Sequence, residues 1–145
     1  MSLTIKTVEQ FLEAYQGGQQ EISQLSLPGA QLAEQYLPFV KLEDDALEEA
    51  NLRSADLTGA SLIRANLEQA HLHRTNLIGA DLIRANLLKA YLVNVLLASA
   101  NLSGANLSGA DLRGASLAGA NLNGANLRGA DLRGATLTGA TLFGT

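Results

Sequence analysis

The chain has 145 residues, enough for one domain, and carries 14 acidic and 10 basic residues for a net charge of −4. It has no cysteine, which excludes disulfides and cysteine-based metal sites or nucleophiles, and no window approaches the roughly 18 consecutive apolar residues of a membrane span. Aromatic residues are few and tryptophan is absent, so regular close packing of small residues must replace a core of large aromatic side chains.

The N-terminal segment predicts a helix over residues 4–16. Four apolar side chains fall on one helical face: Val8, Phe11, Leu12 and Tyr15. Thr7 and Gln10 have the spacing of a capping box, and the glycine pair at 17–18 supplies a stop. We interpret residues 1–19 as a cap over the repetitive domain that follows, with a partner-binding helix as the alternative. The segment MSLTIKTVEQF lacks the pattern of a signal peptide, so a cytosolic protein is expected.

A five-residue repeat dominates the rest of the chain. Every fifth residue from 52 to 142 is leucine, and the same phase extends backwards to Ile22. A small residue, nearly always alanine, stands two positions before each leucine, and glycine stands two positions after it from 104 to 144. A helix would spread these leucines around its circumference, since five steps of about 100° advance the face by about 140°. The pattern instead indicates a short extended step and a turn, with leucine and alanine pointing inward.

Turn residues and long-range identity give the size of the coil. Leu27-Pro28-Gly29-Ala30 is a type II turn sequence, with proline and glycine at its two central positions. LIRANL occurs at 62–67 and at 82–87, and GADLRGA occurs at 109–115 and at 129–135. Both displacements are of 20 residues, which predicts a square coil of four pentapeptides.

The A-(N/D)-L-x-G frame resembles the pentapeptide-repeat proteins over roughly residues 20–144. The resemblance implies an all-β solenoid, a right-handed quadrilateral β-helix of about six 20-residue coils over residues 20–145. The frame is weakest at 35–49, where Gln35 and Asp45 replace the inward alanine, and this leaves a loop or distorted coil open there.

Outward positions form columns along such a coil. Asn66, Asn86, Asn106 and Asn126 predict an asparagine ladder, which is an architectural feature. The apolar stretch YLVNVLLASA at 91–100 belongs to one coil that carries apolar side chains all around it, and we expect a partner-binding patch there. Its predicted residues, including a polar rim of two arginines, are Ile63, Ile78, Ile83, Leu88, Tyr91, Val93, Leu96, Arg74 and Arg84. The alternative is that such side chains simply suit extended backbone.

The sequence predicts no enzyme and no cofactor. It lacks a glycine-rich loop that opens a helix, a Ser/His/Asp constellation and any long loop that could build a pocket. His71 and His73 flank a core leucine, but two histidines without a third convergent ligand rarely make a metal site.

We expect a scaffold that binds a protein partner through the lateral faces of the rod. The family resemblance implies an alternative, since some pentapeptide-repeat proteins resemble B-form DNA in shape and charge and bind or protect type II topoisomerases. Residues 1–50 carry a net charge of −7 and residues 51–145 one of +3, so the regular rod is mildly cationic, which disfavours DNA mimicry. The weak, dispersed positive charge also disfavours direct nucleic-acid binding. A structural spacer is a further alternative, and an end-to-end homodimer could form through the C-terminal coil.

Overall fold

The computed structural model describes residues 5–19, 22 and 25–145. One helix, α1, spans Val8–Gln16, and from residue 25 onward the chain repeats a single five-residue unit. In each unit one residue forms a parallel β-bridge to the residue twenty positions later, from Ser26↔Ala46 to Asn121↔Thr141. Twenty residues therefore complete one four-sided coil, as the displaced identities predict. Within the described ranges, no helix is long and apolar enough to cross a membrane.

Each unit satisfies all five of its backbone amides, which explains why its β structure is a single bridged residue. In the unit 76–80, Asn76 and Leu77 donate to carbonyls of the preceding and following coils at 2.9 and 2.8 Å. Gly79 donates to the following coil at 3.0 Å, and Ala80 closes a turn on the Leu77 carbonyl at 3.1 Å. The fifth amide, of Ile78, donates to the Asn76 side-chain oxygen at 3.2 Å. The Asn/Asp preference at this slot thus has a local cause that the sequence analysis did not identify.

The predicted asparagine ladder is present on part of its column. The side-chain amide of Asn86 donates to the oxygen of Asn66 at 2.9 Å, and that of Asn106 donates to Asn86 at 3.2 Å. These bonds run along the rod and tie successive coils together.

The core is the inside of the coil, filled by the in-phase leucines and the small residues before them. The leucines from 32 to 122 are at most 1% exposed. Thr75 occupies an inward alanine slot, and its hydroxyl donates to the Leu52 carbonyl at 2.7 Å. We call the four sides the first, second, third and fourth faces, after the core leucines of the coil 51–70. These leucines are Leu52, Leu57, Leu62 and Leu67, in that order.

Residues 35–49 form a regular coil, so the loop that the sequence left open there does not occur. Tyr36, Lys41 and Ala46 each form the expected bridge to the residue twenty positions later. Asp45 takes the inward slot and is buried, and its Oδ1 accepts a hydrogen bond from the backbone amide of Leu25 at 2.7 Å. A buried carboxylate that accepts such a bond can replace alanine without breaking the coil.

Helix α1 has the predicted N-terminal and C-terminal signals. Its N-cap is Thr7, whose hydroxyl accepts from the Gln10 amide at 3.1 Å, while Gln10 Oε1 accepts from the Lys6 amide at 2.9 Å. The helix ends at the glycine pair, where Gly18 has φ of +88° and its amide donates to Tyr15. The described helix begins at residue 8, whereas residue 4, its predicted start, lies outside the described residues.

The apolar face of α1 packs against the core of the coil. Phe11 is fully buried, and Val8, Leu12 and Tyr15 are partly buried against the same cluster. The Tyr15 hydroxyl donates to the Pro38 carbonyl at 2.8 Å, which links the helix to the second face. Burial raises the Tyr15 pKa, and the nearby Tyr36 and Asp56 act in the same direction.

The last coil, residues 126–145, is the least buried part of the rod. Leu127, Leu132 and Leu137 are only partly buried, and Leu142 and Phe143 are exposed. The predicted end-to-end homodimer would cover these side chains and stays a prediction.

Candidate functional site

The second face differs from the other three in charge. Its bridged column runs through residues 36, 56, 76, 96, 116 and 136. Asp56 is the one charged residue among the described outward positions of this face, whereas each of the other faces carries at least five. A wall with so few charges loses little hydration energy when a partner covers it.

The same face carries most of the exposed large apolar side chains in the described part of the chain. These side chains are Tyr36, Phe39, Ile78 and Leu96, with exposed fractions of 73%, 63%, 39% and 41%. The others are Tyr91 on the first face and two residues of the last coil. The second face is therefore the candidate binding surface of the rod.

Phe39 stands out because its position is unfavourable for a bulky residue. Its φ is +60°, in the left-handed region that the turn imposes on every unit and that glycine tolerates best. Its ring lies over Gly59, where an added Cβ would come within 2.5 Å of the ring carbon Cε1. An exposed aromatic ring held in this conformation does little for the coil itself, which favours a role in contact with a partner.

The predicted patch residues do not lie on one face. The chain turns a corner after every unit, so a run of successive outward residues is distributed around the rod. Ile78 and Leu96 lie on the second face, while the first face has Arg74, Tyr91 and Val93, the third has Ile63, Ile83 and Arg84, and the fourth has Leu88. A flat partner could not cover them together.

The sequence analysis missed Tyr36 and Phe39, which are the most exposed members of the second face. It compared residues around one coil rather than along one column. Writing the sequence in rows of twenty residues places both in line with Ile78 and Leu96, so the signal was available.

The two histidines lie on the first face in an aromatic stack. The His71 and Tyr91 rings are nearly parallel, with centroids 4.8 Å apart, and the His73 ring lies 6.0 Å from that of Tyr91. Arg53 Nη2 lies 3.1 Å from His71 Nδ1. Since a guanidinium only donates, this nitrogen accepts and His71 carries its proton on Nε2. Among the described residues, no group of three potential metal ligands converges, at the histidines or elsewhere.

Further along the same face, carboxylates and guanidiniums neutralise one another. Arg113 and Arg133 each hold both oxygens of the aspartate two residues earlier, Asp111 and Asp131. The hydrogen bonds from Arg133 lower the pKa of Asp131 to about 2, and those from Arg113 lower the pKa of Asp111. These carboxylates are thus paired with cations rather than presented as a bare anionic surface.

We expect the first face to lose stability as the pH falls below 6.5. Burial first, and then the charge of Arg53, lower the pKa of His73 from its ordinary value of 6.5. The unfolded chain therefore binds this proton more readily, and the penalty grows as the pH falls from 6.5 through the folded pKa. Thermal melts at pH 8 and pH 5.5 should show a larger loss for the parent than for His73→Gln. Equal losses in both proteins would contradict this assignment.

Solved structures with similar folds come from several sources. QnrB1, described as a plasmid-mediated fluoroquinolone resistance protein, is 22% identical with a TM-score of 0.62, and the match covers 81% of this chain and 61% of that one. HetL, described as involved in heterocyst differentiation regulation in the cyanobacterium Nostoc sp. strain PCC 7120, is 24% identical over 95% of this chain and 98% of that one, with a TM-score of 0.38. Rfr23 from the cyanobacterium Cyanothece 51142 is 29% identical over 90% and 96%, with a TM-score of 0.38.

The family comparison covers most of the rod. A model of pentapeptide repeats matches residues 50–87, 75–114 and 110–145, in 8 copies. A comparison with curated protein sequences finds no significant match. The repeat frame, the four-sided coil and the family match agree, and the chain therefore belongs to the family of pentapeptide-repeat proteins, whose solved members imply a right-handed quadrilateral β-helix.

Proposed function

We propose that this protein is a non-enzymatic scaffold that binds a protein partner through its second face, while helix α1 caps the N-terminal end of the rod. One observation carries the proposal: exposed apolar side chains are concentrated on the face that is almost free of charge. Interface centres are typically depleted of charged residues and enriched in aromatic ones.

The arrangement along the second face supports a partner with a long, flat contact surface. Tyr36 and Phe39 supply aromatic anchors near α1, and Ile78 and Leu96 extend the apolar surface two and three coils further along. Coils about 4.8 Å apart place these groups within about 15 Å along the rod, a span that a single partner domain can contact.

A capture experiment with two matched double variants tests this proposal. Ile78→Glu with Leu96→Glu places two carboxylates on the second face, and Ile63→Glu with Ile83→Glu places two on the third face. We expect a partner to be retained from a lysate by the parent and the third-face variant, and lost by the second-face variant. Circular dichroism melts should first establish that both variants are folded.

Other outcomes point to other functions. Equal loss of the partner by both variants would contradict a site on the second face. Retention of a type II topoisomerase by all three proteins would favour DNA mimicry, although QnrB1, at 22% identity, supports only a common fold. Capture of no protein by the parent would favour a structural spacer.

A further inference from the structure

A groove runs along the corner between the first and second faces. It has a volume of about 460 Å³ and is lined by Arg53, Ser54, His73, Arg74, Val93 and Asn94. These residues come from three successive coils and form two parallel columns, one just before the corner and one at the turn. The three turn residues share a φ of +56°, so the backbone presents their side chains in the same orientation.

The groove carries positive charge that nothing nearby neutralises. Arg53 and Arg74 form no ion pair with the described residues, and no acidic side chain lines the groove. Further along the same face, Arg113 and Arg133 are each held by an aspartate. The first face thus changes from paired charges to two uncompensated guanidiniums at this corner.

One of these guanidiniums is held in position. Arg53 donates to His71 Nδ1 at 3.1 Å, and the His71 ring is stacked on Tyr91. Anchoring a long side chain in advance lowers the conformational entropy that a ligand must remove on binding.

The adjacent histidine responds to the same positive potential. His73 Nδ1 is buried and has no hydrogen-bond partner among the described residues. Burial is the main cause of its lowered pKa, the positive charge of Arg53 adds to it, and Asp111 opposes it only in part. An anion in the groove would offset both guanidiniums and the cost of protonating this ring.

We propose that this corner groove binds a phosphate monoester group. Two guanidiniums present planar forks of donors that suit a doubly charged tetrahedral oxyanion, and the Ser54 hydroxyl and Asn94 amide add donors. A carboxylate carries one charge and would leave the second guanidinium uncompensated. Val93 supplies an apolar wall, and the volume exceeds that of one phosphate group, so the groove also has room for the organic part of the ligand.

The test is a titration of the ¹⁵N-labelled full chain with phenyl phosphate, followed by NMR. We expect saturable shifts of the amides of residues 53–54, 73–74 and 93–94, and weaker binding of benzoate. Loss of a charge-assisted hydrogen bond should weaken binding by about tenfold or more in Arg74→Gln. The matched control is Arg128→Gln on the fourth face, where an exposed arginine also lacks an ion pair with the described residues; it should bind as the parent does.

Further arms identify the source of the group and guard against misfolding. A short phosphoserine peptide that binds more tightly than phenyl phosphate would indicate a modified protein side chain, and the reverse would indicate a small phosphorylated molecule. Ser54→Ala, which keeps both guanidiniums, should weaken binding moderately and gives a second variant if Arg74→Gln does not fold. The proposal is overturned by the absence of shifts at the corner, by equal binding of Arg74→Gln and Arg128→Gln, or by equal affinity for benzoate and phenyl phosphate.

Discussion

Replacing Ala85 with leucine should lower the free energy of unfolding by roughly 1–3 kcal/mol or more, because the larger side chain overpacks the inside of the coil. Ala85 is fully buried, and the core leucines on either side of it, Leu82 and Leu87, are at most 1% exposed. Hydrogen bonds between coils hold the backbone in register on both sides, so the chain has little freedom to move outward. Ala110→Leu tests the same slot on another coil, and chemical denaturation of both variants measures the cost.

The matched control is Ala118→Leu. Ala118 occupies the outward position that follows a core leucine on the second face, and Ile78 occupies the same position two coils earlier. This column therefore accepts a large side chain, and we expect little change in stability. Equal effects of the inward and outward substitutions would contradict the assignment of the alanine slot to the core.

Replacing Phe11 with alanine should cost about 3–5 kcal/mol, the range for truncating a fully buried aromatic side chain. Phe11 is the buried residue of α1 that joins the core cluster, and its loss should detach the helix from the rod. Repeat domains are stabilised mainly by contacts between neighbouring units, so the loss should be concentrated in the N-terminal coils. Hydrogen exchange should accelerate at the amides of residues 27–37 and change little beyond residue 100.

Glu13→Ala is the control for this prediction, because Glu13 is exposed on the same helix. It should leave both the melting temperature and the exchange pattern close to those of the parent. If Phe11→Ala leaves exchange in the first coils unchanged, α1 does not cap the rod and the partner-binding alternative for this helix gains support.

The repeat made the interior of this protein predictable from sequence. A five-residue leucine phase fits neither a helix nor a strand, and identities displaced by 20 residues require four units per coil. The helix was predictable for a different reason, since Thr7, Gln10 and the glycine pair are local signals that act within one turn. Local signals and strict periodicity need no knowledge of distant contacts.

The regular coil at 35–49 was less predictable. Asp45 in an inward slot argues against regularity until its hydrogen bond to Leu25, one coil earlier, is known. The sequence also gave no sign that the asparagine slot satisfies the fifth amide of each unit, because that bond depends on the turn geometry around Asn76 and its equivalents.

The sequence by itself therefore determined the coil, its inward residues and the position of the helix, because these follow from spacing alone. Only the tertiary structure decided which outward side chains share a surface. Residues five apart lie on different faces and residues twenty apart lie side by side, so Tyr36 and Leu96 share a face, whereas Ile83 and Leu88 do not. The groove between Arg53 and Asn94 arises in the same way, since its side chains become neighbours only when three coils stack.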